Sequence, residues 1–220
     1  MDNEIQEIVK IINELSGKFS GYEVFSDWVR AMALNIVNIP EKDQDSIWKK
    51  REEEYMEIVR KHGRESMFRF AEMFALLDIA LEKEMEDVLG RIYMEEGLGS
   101  KQTGQFFTPF HISRMVAGMV IPENISPTNP YILHEPSCGG GGMIIAFARA
   151  MDDQGINYCK CLKVIAQDLD WKGVYMTFVQ LPLLGIDAVV VQGDTLAEPY
   201  KQGYPLERVL ETPVRKELLL

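Results

Sequence analysis

A run of four glycines, Gly139 to Gly142, stands between a short apolar segment and a segment with helical periodicity. Residues 131–134 are predicted to form a strand, and residues 142–151 are predicted to form a helix. Glycine tolerates the backbone angles of so tight a turn and lets a ligand approach the backbone closely. Strand-to-helix turns of this kind bind nucleotides in parallel α/β sheets. The turn therefore predicts an α/β unit with a ligand site.

Two more apolar segments continue this pattern. Residues 162–167 and 186–192 are predicted strands, and a helix is predicted between them at about residues 171–181. Strands that alternate with helices indicate a mainly parallel sheet. We expect a helical domain at residues 1–100, followed at residues 101–220 by an incomplete Rossmann-like α/β domain.

The first hundred residues have helical periodicity almost throughout. Apolar residues at amphipathic spacing predict two helices, the second of which ends at Pro40. A charged helix is predicted at about residues 44–62 and a further one at 65–81, and the glycine-rich stretch 97–104 marks a boundary. We interpret this region as a helical bundle with solvated charged faces, and a partner-binding surface is the alternative.

Charge limits how the chain can meet nucleic acid. The formal net charge is −11, with −8 in residues 1–103 and −3 in residues 104–220. A protein that grips duplex DNA needs Lys and Arg to neutralise phosphates. Neither half resembles an autonomous DNA-binding module, although a local basic patch is compatible with these totals.

The remaining composition favours an ordinary globular protein. No apolar run is long enough to span a membrane, and the acidic start lacks the order of a signal peptide, so we expect a cytoplasmic protein. Three cysteines are too few and too clustered for a disulfide framework and are interpreted as free thiols. The three histidines lie in separate segments, and we expect no metal site.

The glycine turn does not fit a dinucleotide-binding fingerprint. In Gly-x-Gly-x-x-Gly, counting from Gly139 puts Ile144 at the third glycine, and counting from Gly140 puts Ile145 there. The acidic residue before a proline, Glu135, is also foreign to that fingerprint. A NAD-binding unit is therefore disfavoured.

Acidic residues follow the second and third predicted strands. Asp168 lies 29 residues after Gly139, where a carboxylate accepts hydrogen bonds from ribose hydroxyls. The alternative is that Asp168 caps the following helix, a role that Asp170 fits equally well. Asp194 is a candidate for binding an adenine amino group or for terminating its strand.

Two motifs in one order carry a family resemblance. The motif Glu-Pro-x-Cys-Gly-x-Gly-Gly begins at Glu135, and Gly-Gln-Phe-Phe-Thr-Pro begins 31 residues earlier at Gly104. The acidic strand end at Asp168 and Gly-Asp-Thr-Leu at 193–196 follow in register. Over residues 65–196 the chain resembles the N6-adenine DNA methylases, especially the modification subunits of type I restriction-modification systems.

The resemblance implies methyl transfer from S-adenosylmethionine to adenine N6 in DNA, and it implies roles for individual residues. Residues 105–109 would wrap the methionine end of the cofactor, with Thr108 as the main polar contact. Asp168 would hold the ribose and Asp194 the adenine. Core packing is the alternative for the two phenylalanines, and Cys138 fits both a cofactor contact and a buried small residue. The implied cofactor-binding set is Gln105, Phe106, Phe107, Thr108, Pro109, Glu135, Ser137, Cys138, Gly139, Gly141, Asp168 and Asp194.

The family's catalytic tetrapeptide has no counterpart in this sequence. Members carry Asn-Pro-Pro-aromatic or Asp-Pro-Pro-aromatic after the fourth strand, where it holds a flipped-out adenine in line with the methyl group. The nearest segment here is residues 210–213, which makes Glu211, Thr212 and Pro213 weak catalytic candidates.

Two functions of different classes remain open. The first is an adenine-N6 DNA methyltransferase or its S-adenosylmethionine-binding component; the second is a catalytically inactive homologue that serves as a cofactor-binding or regulatory subunit. Methylation of another substrate is the least favoured. The resemblance implies DNA as a partner through a separate specificity subunit, and an incomplete sheet predicts a protein partner on its open edge. A fragment, a reduced homologue and a cofactor-binding relic all fit the sequence.

Overall fold

The computed structural model describes residues 3–39, 46–95, 97, 107–201 and 203–213. Within these residues the chain is a mixed α/β protein with a small, mostly parallel, open sheet. No helix in the described ranges is both long enough and apolar enough to cross a membrane.

The amino-terminal region is helical. Its helices are α1 (Asn3–Leu15), α2 (Gly21–Asn38), α3 (Ser46–Lys83) and α4 (Val88–Glu95). Helix α2 begins with a capping box, in which Ser20 and Glu23 each accept the backbone amide of the other. Helix α3 is broken at Gly63, whose φ is 78°, so the two helices predicted on either side of residue 63 are confirmed. The predicted stop at Pro40 lies outside the described residues.

The second region alternates strands with helices, as predicted. Its elements are α5 (Phe110–Val120), β1 (Tyr131–Glu135), α6 (Gly142–Asp153), α7 (Tyr158–Cys161), β2 (Leu162–Asp168), α8 (Trp171–Leu183), β3 (Asp187–Gln192) and β4 (Val209–Glu211). The three predicted strands and two predicted helices are confirmed to within two residues at each end. Sequence reasoning missed α4, α5 and α7, all of which are short; α4 and α5 lie before and after the glycine-rich stretch, and α7 has only four residues.

The sheet has the order β1-β2-β3-β4. The first three strands are parallel, so Glu135, Asp168 and Gln192 end at the same edge, which we call the carboxyl edge. Strand β4 is antiparallel to β3 and pairs Glu211 with Val189. Its carboxyl end therefore points to the opposite edge of the sheet.

Helices cover one face of the sheet. Leu162, Val164 and Val190 on this face are buried, and Tyr131 stacks on Phe147 of α6. Both β-α-β connections lead to the next strand in the same direction, and right-handed crossovers of that kind place α6 and α8 on the same face. On the other face Ile132 and the ion-paired Lys163 and Asp187 remain exposed.

Helix α8 joins the two regions. Its side chains are apolar on nearly all sides, and every residue from Lys172 to Pro182 is buried between the sheet and α2. Trp28 of α2 is fully buried and donates its indole N–H to the carbonyl of Phe70 at 3.1 Å. One hydrophobic core thus runs from α1 to the sheet.

Candidate functional site

The glycine turn after β1 needs glycine for conformation and for space. Gly139 and Gly141 have φ angles of 51° and 92°, in the left-handed region that side chains disfavour. A Cβ atom on Gly139 would lie 2.8 Å from the ring of Phe107. The turn is tied to the neighbouring strand because the amide of Cys138 donates to the carbonyl of Gln167 at 3.0 Å.

Two side chains of helix α8 hold the backbone of the glycine turn by hydrogen bonds. Thr177 Oγ1 donates to the carbonyl of Gly139 at 2.9 Å, and Gln180 Nε2 donates to the carbonyl of Gly140 at 2.7 Å. Buried bonds of this kind fix backbone geometry because breaking one leaves an unsatisfied polar group. The turn is thus preorganised by the protein's own contacts.

Asp87 is a buried carboxyl beneath the same turn, and sequence reasoning missed it. Its Oδ1 accepts the amide of Gly90 at 2.8 Å, as an N-cap of α4 does, and also accepts Gln180 Nε2 at 2.9 Å. A Cβ on Gly90 or Gly140 would lie 2.1 or 2.7 Å from Asp87 Oδ2, so both glycines make room for this group. Burial raises the pKa of Asp87, and the two hydrogen bonds only partly offset that effect.

The raised pKa predicts how Asp87 variants respond to pH. Its contribution to stability is fully present below the ordinary aspartate pKa of about 4 and is lost as pH rises through the raised folded-state pKa. Asp87→Asn keeps an acceptor oxygen and cannot ionise. We expect the variant to gain stability relative to the native protein as pH rises through this window, by about 1.4 kcal/mol for each pH unit between the ordinary pKa and the raised pKa.

Urea unfolding at several pH values measures this difference. Asp87→Ala is the matched comparison, because it also cannot ionise but leaves the Gly90 amide and one N–H of the Gln180 amide without an acceptor; it should be less stable than Asp87→Asn by about 1–3 kcal/mol per unsatisfied group at every pH. A stability difference between Asp87→Asn and the native protein that does not change with pH would contradict the inference that burial raises the pKa of Asp87.

Asp168 at the carboxyl edge reaches the glycine turn. Its Oδ2 accepts the amide of Gly139 at 2.8 Å, and its Oδ1 accepts the amide of Asp170 at 2.9 Å. The cap of α8 is instead Asp170, whose side chain accepts the amide of Lys172 at 3.0 Å. Gly173 lets Asp168 lie close to the start of α8, since a Cβ there would be 3.1 Å from the Asp168 carboxyl carbon. Capping therefore does not account for Asp168.

A cavity of about 270 Å³ lies over the turn. Its wall includes Thr108, Ser137, Cys138 and Asp168, all from the implied set, together with Ser113 of α5. Ser113 is fully buried, and its hydroxyl has no hydrogen-bond partner among the described residues. A buried hydroxyl without a partner in a cavity wall suits a polar ligand. A neighbouring cavity of about 480 Å³ shares Asp87, Phe107 and Thr108.

The segment before α5 lies beside this cavity. Phe107 packs on the turn and on Tyr93 of α4, with ring centroids 5.3 Å apart, so it is core packing and cavity wall at once. Thr108 is exposed, and Pro109 precedes α5 as its N-cap residue. Gln105 and Phe106 lie outside the described residues.

Burial raises the pKa of two groups in the turn, Glu135 and Cys138. Burial raises the pKa of Glu135, and the neighbouring Asp168 raises it further, while the Ser137 amide donates to Glu135 Oε1 at 3.2 Å. Burial also raises the pKa of the Cys138 thiol. Such an environment disfavours the thiolate form that a nucleophilic cysteine needs. Of the two interpretations of Cys138, a cofactor contact and a small buried residue, the buried position fits the second.

Asp194 has a structural role in the loop after β3. Its Oδ1 accepts the amides of Leu196 and Ala197 at 2.9 and 3.2 Å, which ends the strand in a turn. The same carboxylate is exposed at the carboxyl edge. Thr195 Oγ1 donates to the carbonyl of Pro136 at 2.6 Å and links this loop to the glycine turn.

Gln167 was also missed and fixes the same loop. Its buried side chain donates to the carbonyl of Glu198 at 2.9 Å and accepts the amide of Tyr200 at 3.0 Å. No pattern in the sequence distinguishes this glutamine from any other polar residue near the end of a strand.

Glu211, Thr212 and Pro213 are not brought together with the turn. Glu211 ends β4, and Thr212 and Pro213 follow it toward the opposite edge of the sheet. There Thr212 Oγ1 accepts the amide of Ala188 at 2.8 Å and donates to the carbonyl of Ile186 at 3.2 Å. The Thr212 hydroxyl is thus bonded to the backbone of β3. Within the described residues no cluster of His, Cys, Asp and Glu side chains has the grouping of a metal site.

The comparisons with known proteins bear on this geometry. A family model described as N-6 DNA Methylase matches residues 84–213. The chain belongs to the N-6 DNA methylase family. A search of curated proteins gives no match. The family match begins just before Asp87 and includes α4, the glycine turn, Asp168 and β4, so the residues that build the turn and its cavity all lie within the methylase region.

Proposed function

We propose that the chain is the S-adenosylmethionine-binding part of an adenine-N6 DNA methyltransferase, in a Rossmann-like methyltransferase fold that acts in a restriction-modification system. The observation that carries the proposal is the cavity over the glycine turn. There a strand-end carboxylate, Asp168, faces the same space as the buried hydroxyl of Ser113, which has no hydrogen-bond partner among the residues that the structure describes. Membership of the N-6 DNA methylase family supports the reaction class and DNA as the substrate.

The residues present fit such a cofactor. Each Asp168 oxygen accepts one backbone amide and has a further lone pair that can accept a ribose hydroxyl. Ser113 and Thr108 line the cavity, and their hydroxyls would hold the polar groups of the methionine end. Leu169 and Leu196 are exposed beside Asp168 and Asp194, where apolar side chains suit the faces of an adenine ring. The bound cofactor would supply the electrophilic methyl group.

A second candidate function is a cofactor-binding subunit that does not methylate on its own. The observation that favours it is the position of Glu211 and Thr212, which lie toward the opposite edge of the sheet from Asp168. A residue that positions the target amine has to lie within hydrogen-bond reach of the reacting atoms. In this case a partner polypeptide would contribute the groups that hold adenine.

The sheet offers a surface for such a partner. Among the described residues β1 pairs only with β2, so its outer edge is open, and Ile132, on the face opposite the helices, is 54% exposed. Parallel sheets are normally covered on both faces. Helix α5 adds an apolar stripe formed by Ile112, Met115, Val116, Met119 and Val120. We propose that the partner adds an apolar strand to β1, because no other strand in the described ranges pairs with its outer edge and an added strand would satisfy the backbone groups there.

Calorimetric titration with S-adenosylmethionine, followed by a tritiated-methyl transfer assay on unmethylated DNA, tests both functions. Binding of S-adenosylmethionine together with methyl transfer supports the methyltransferase. Transfer should persist in Thr212→Val, because the hydroxyl of Thr212 is bonded to the backbone. Binding without transfer supports the partner-dependent subunit. The absence of binding would reject the cofactor assignment, whatever the result with DNA.

A further inference from the structure

A second cavity, of about 620 Å³, lies on the other side of α8 from the glycine turn. It is enclosed by α2, the start of α3, α8 and the turn that leads into β4. On α8 the turn-facing residues are Gly173, Thr177 and Gln180, whereas Trp171 and Tyr175 line this cavity. Helical periodicity puts these two sets on opposite faces, so a helix about 10 Å wide separates the two cavities.

The wall of this cavity is basic in a chain that is strongly acidic. Four cationic side chains, Arg30, Lys50, Arg51 and Arg208, line it, against two carboxylates, Glu54 and Glu207. The chain as a whole has a net charge of −11. A concave surface with an excess of positive charge attracts anions, and low-dielectric walls strengthen the effect.

The cations differ in how they are held. Arg51 is buried and donates to the carbonyl of Val209 at 3.0 Å, and Arg30 donates to Glu54 at 2.6 Å. The Nε of Arg30 is buried and has no hydrogen-bond partner among the described residues. Lys50 is exposed, and Arg208 lies 3.5 Å from Glu198 with 43% of its side chain exposed. The cavity therefore combines a donor at its wall, Arg30 Nε, that has no partner in the part of the chain that the structure describes, with exposed positive charges at its opening.

An aromatic surface completes the cavity. The rings of Trp171 and Tyr175 stack with centroids 5.1 Å apart and an interplanar angle of 24°. Tyr175 is almost fully buried, whereas Trp171 is partly exposed. Nucleic-acid bases stack on such rings in single-strand binding sites, where arginines and lysines hold the backbone.

We propose that this cavity binds a nucleotide phosphate through its arginines and lysine, with the base stacked on Trp171. Arginine suits phosphate because its planar fork makes paired hydrogen bonds with phosphate oxygens. The volume lies within the range of small-ligand sites, about 300–1,000 Å³. Free nucleotides and single-stranded DNA both present this chemistry. The lining of this cavity shares no residue with that of the cofactor cavity.

Two probes that lack adenine distinguish binding at this site from binding in the cofactor cavity. They are thymidine 5′-monophosphate and a fluorescently labelled oligothymidylate of eight nucleotides. Binding to the full chain is followed by tryptophan quenching and by fluorescence anisotropy at several salt concentrations. Binding of both probes with similar affinity identifies a free-nucleotide site. Binding of the oligonucleotide alone, weakening steeply with salt, identifies a single-strand site.

Variants at the opening test the assignment without disturbing the core. Lys50→Gln/Arg208→Gln should weaken binding about tenfold or more, since charge-assisted phosphate contacts are the strong ones. Trp171→Leu should remove most of the quenching. The matched control is Lys18→Gln/Lys160→Gln, which removes the same charge from exposed positions away from the cavity and should bind normally. Asp168→Ala should bind both probes like the native chain. Equal weakening in the two double variants, or no binding of either probe, would overturn the proposal.

Discussion

Replacement of Asp168 by alanine is expected to lower the affinity for S-adenosylmethionine by about a hundredfold or more, because hydrogen bonds to a charged group contribute about 1.5–3 kcal/mol each. The carboxylate is bonded to the amides of Gly139 and Asp170, which orient it toward the cavity over the glycine turn. Removal of the side chain deletes the proposed ribose acceptor and also leaves the Gly139 amide without its partner. Titration calorimetry measures the loss.

Two variants separate ribose binding from a general loss of structure. Asp168→Asn keeps one acceptor oxygen and should give an intermediate affinity. Asp170→Ala removes the cap of α8, two residues away, and should lower stability by about 1 kcal/mol with affinity nearly unchanged. Unaltered affinity in Asp168→Ala, with a normal circular dichroism spectrum, would remove Asp168 from the cofactor site and leave the glycine turn without an assigned ribose contact.

The parts of this site that sequence reasoning recovered are the local ones. The strand before Glu135, the glycine turn and the helix after it are adjacent in the chain, so periodicity and the special conformations of glycine predict them together. Asp168 was predictable because parallel strands end at a shared edge. The choice between Asp168 and Asp170 as helix cap needed the side-chain directions that only the fold gives.

The parts that sequence reasoning missed depend on distant contacts. Asp87 precedes a short helix, and it lies against Gly140 of the glycine turn, which is 53 residues away in the sequence. Its partner Gln180 lies 93 residues away. Strand β4 has three residues, and its direction is set by pairing with β3, since an apolar pair such as Val209 and Leu210 fits either direction. The prediction of Glu211 and Thr212 as catalytic candidates depended on the direction of β4, which the sequence does not specify.

The same long-range contacts predict that residues 101–220 do not fold without residues 1–100. Helix α8 lies between the sheet and α2, and its buried Gln180 is bonded both to Asp87 and to the amide of Leu89. Without the helical region, Gln180 loses these partners and one side of an apolar helix meets water. Each large side chain uncovered costs about 1.5–3 kcal/mol, and a few of them equal a total stability of about 5–15 kcal/mol.

We therefore expect the whole chain to unfold in a single cooperative transition and the 101–220 fragment to show none in circular dichroism or calorimetry. Mixing the fragment with a separate 1–100 fragment should restore a transition if the contacts along α8 alone are needed. A fragment that melts cooperatively on its own would contradict this, and would mean that the sheet and α6 contain enough core to stand without the bundle. In that case the sequence boundary near residue 100 would separate two folding domains, and Asp87 would act across an interface between them.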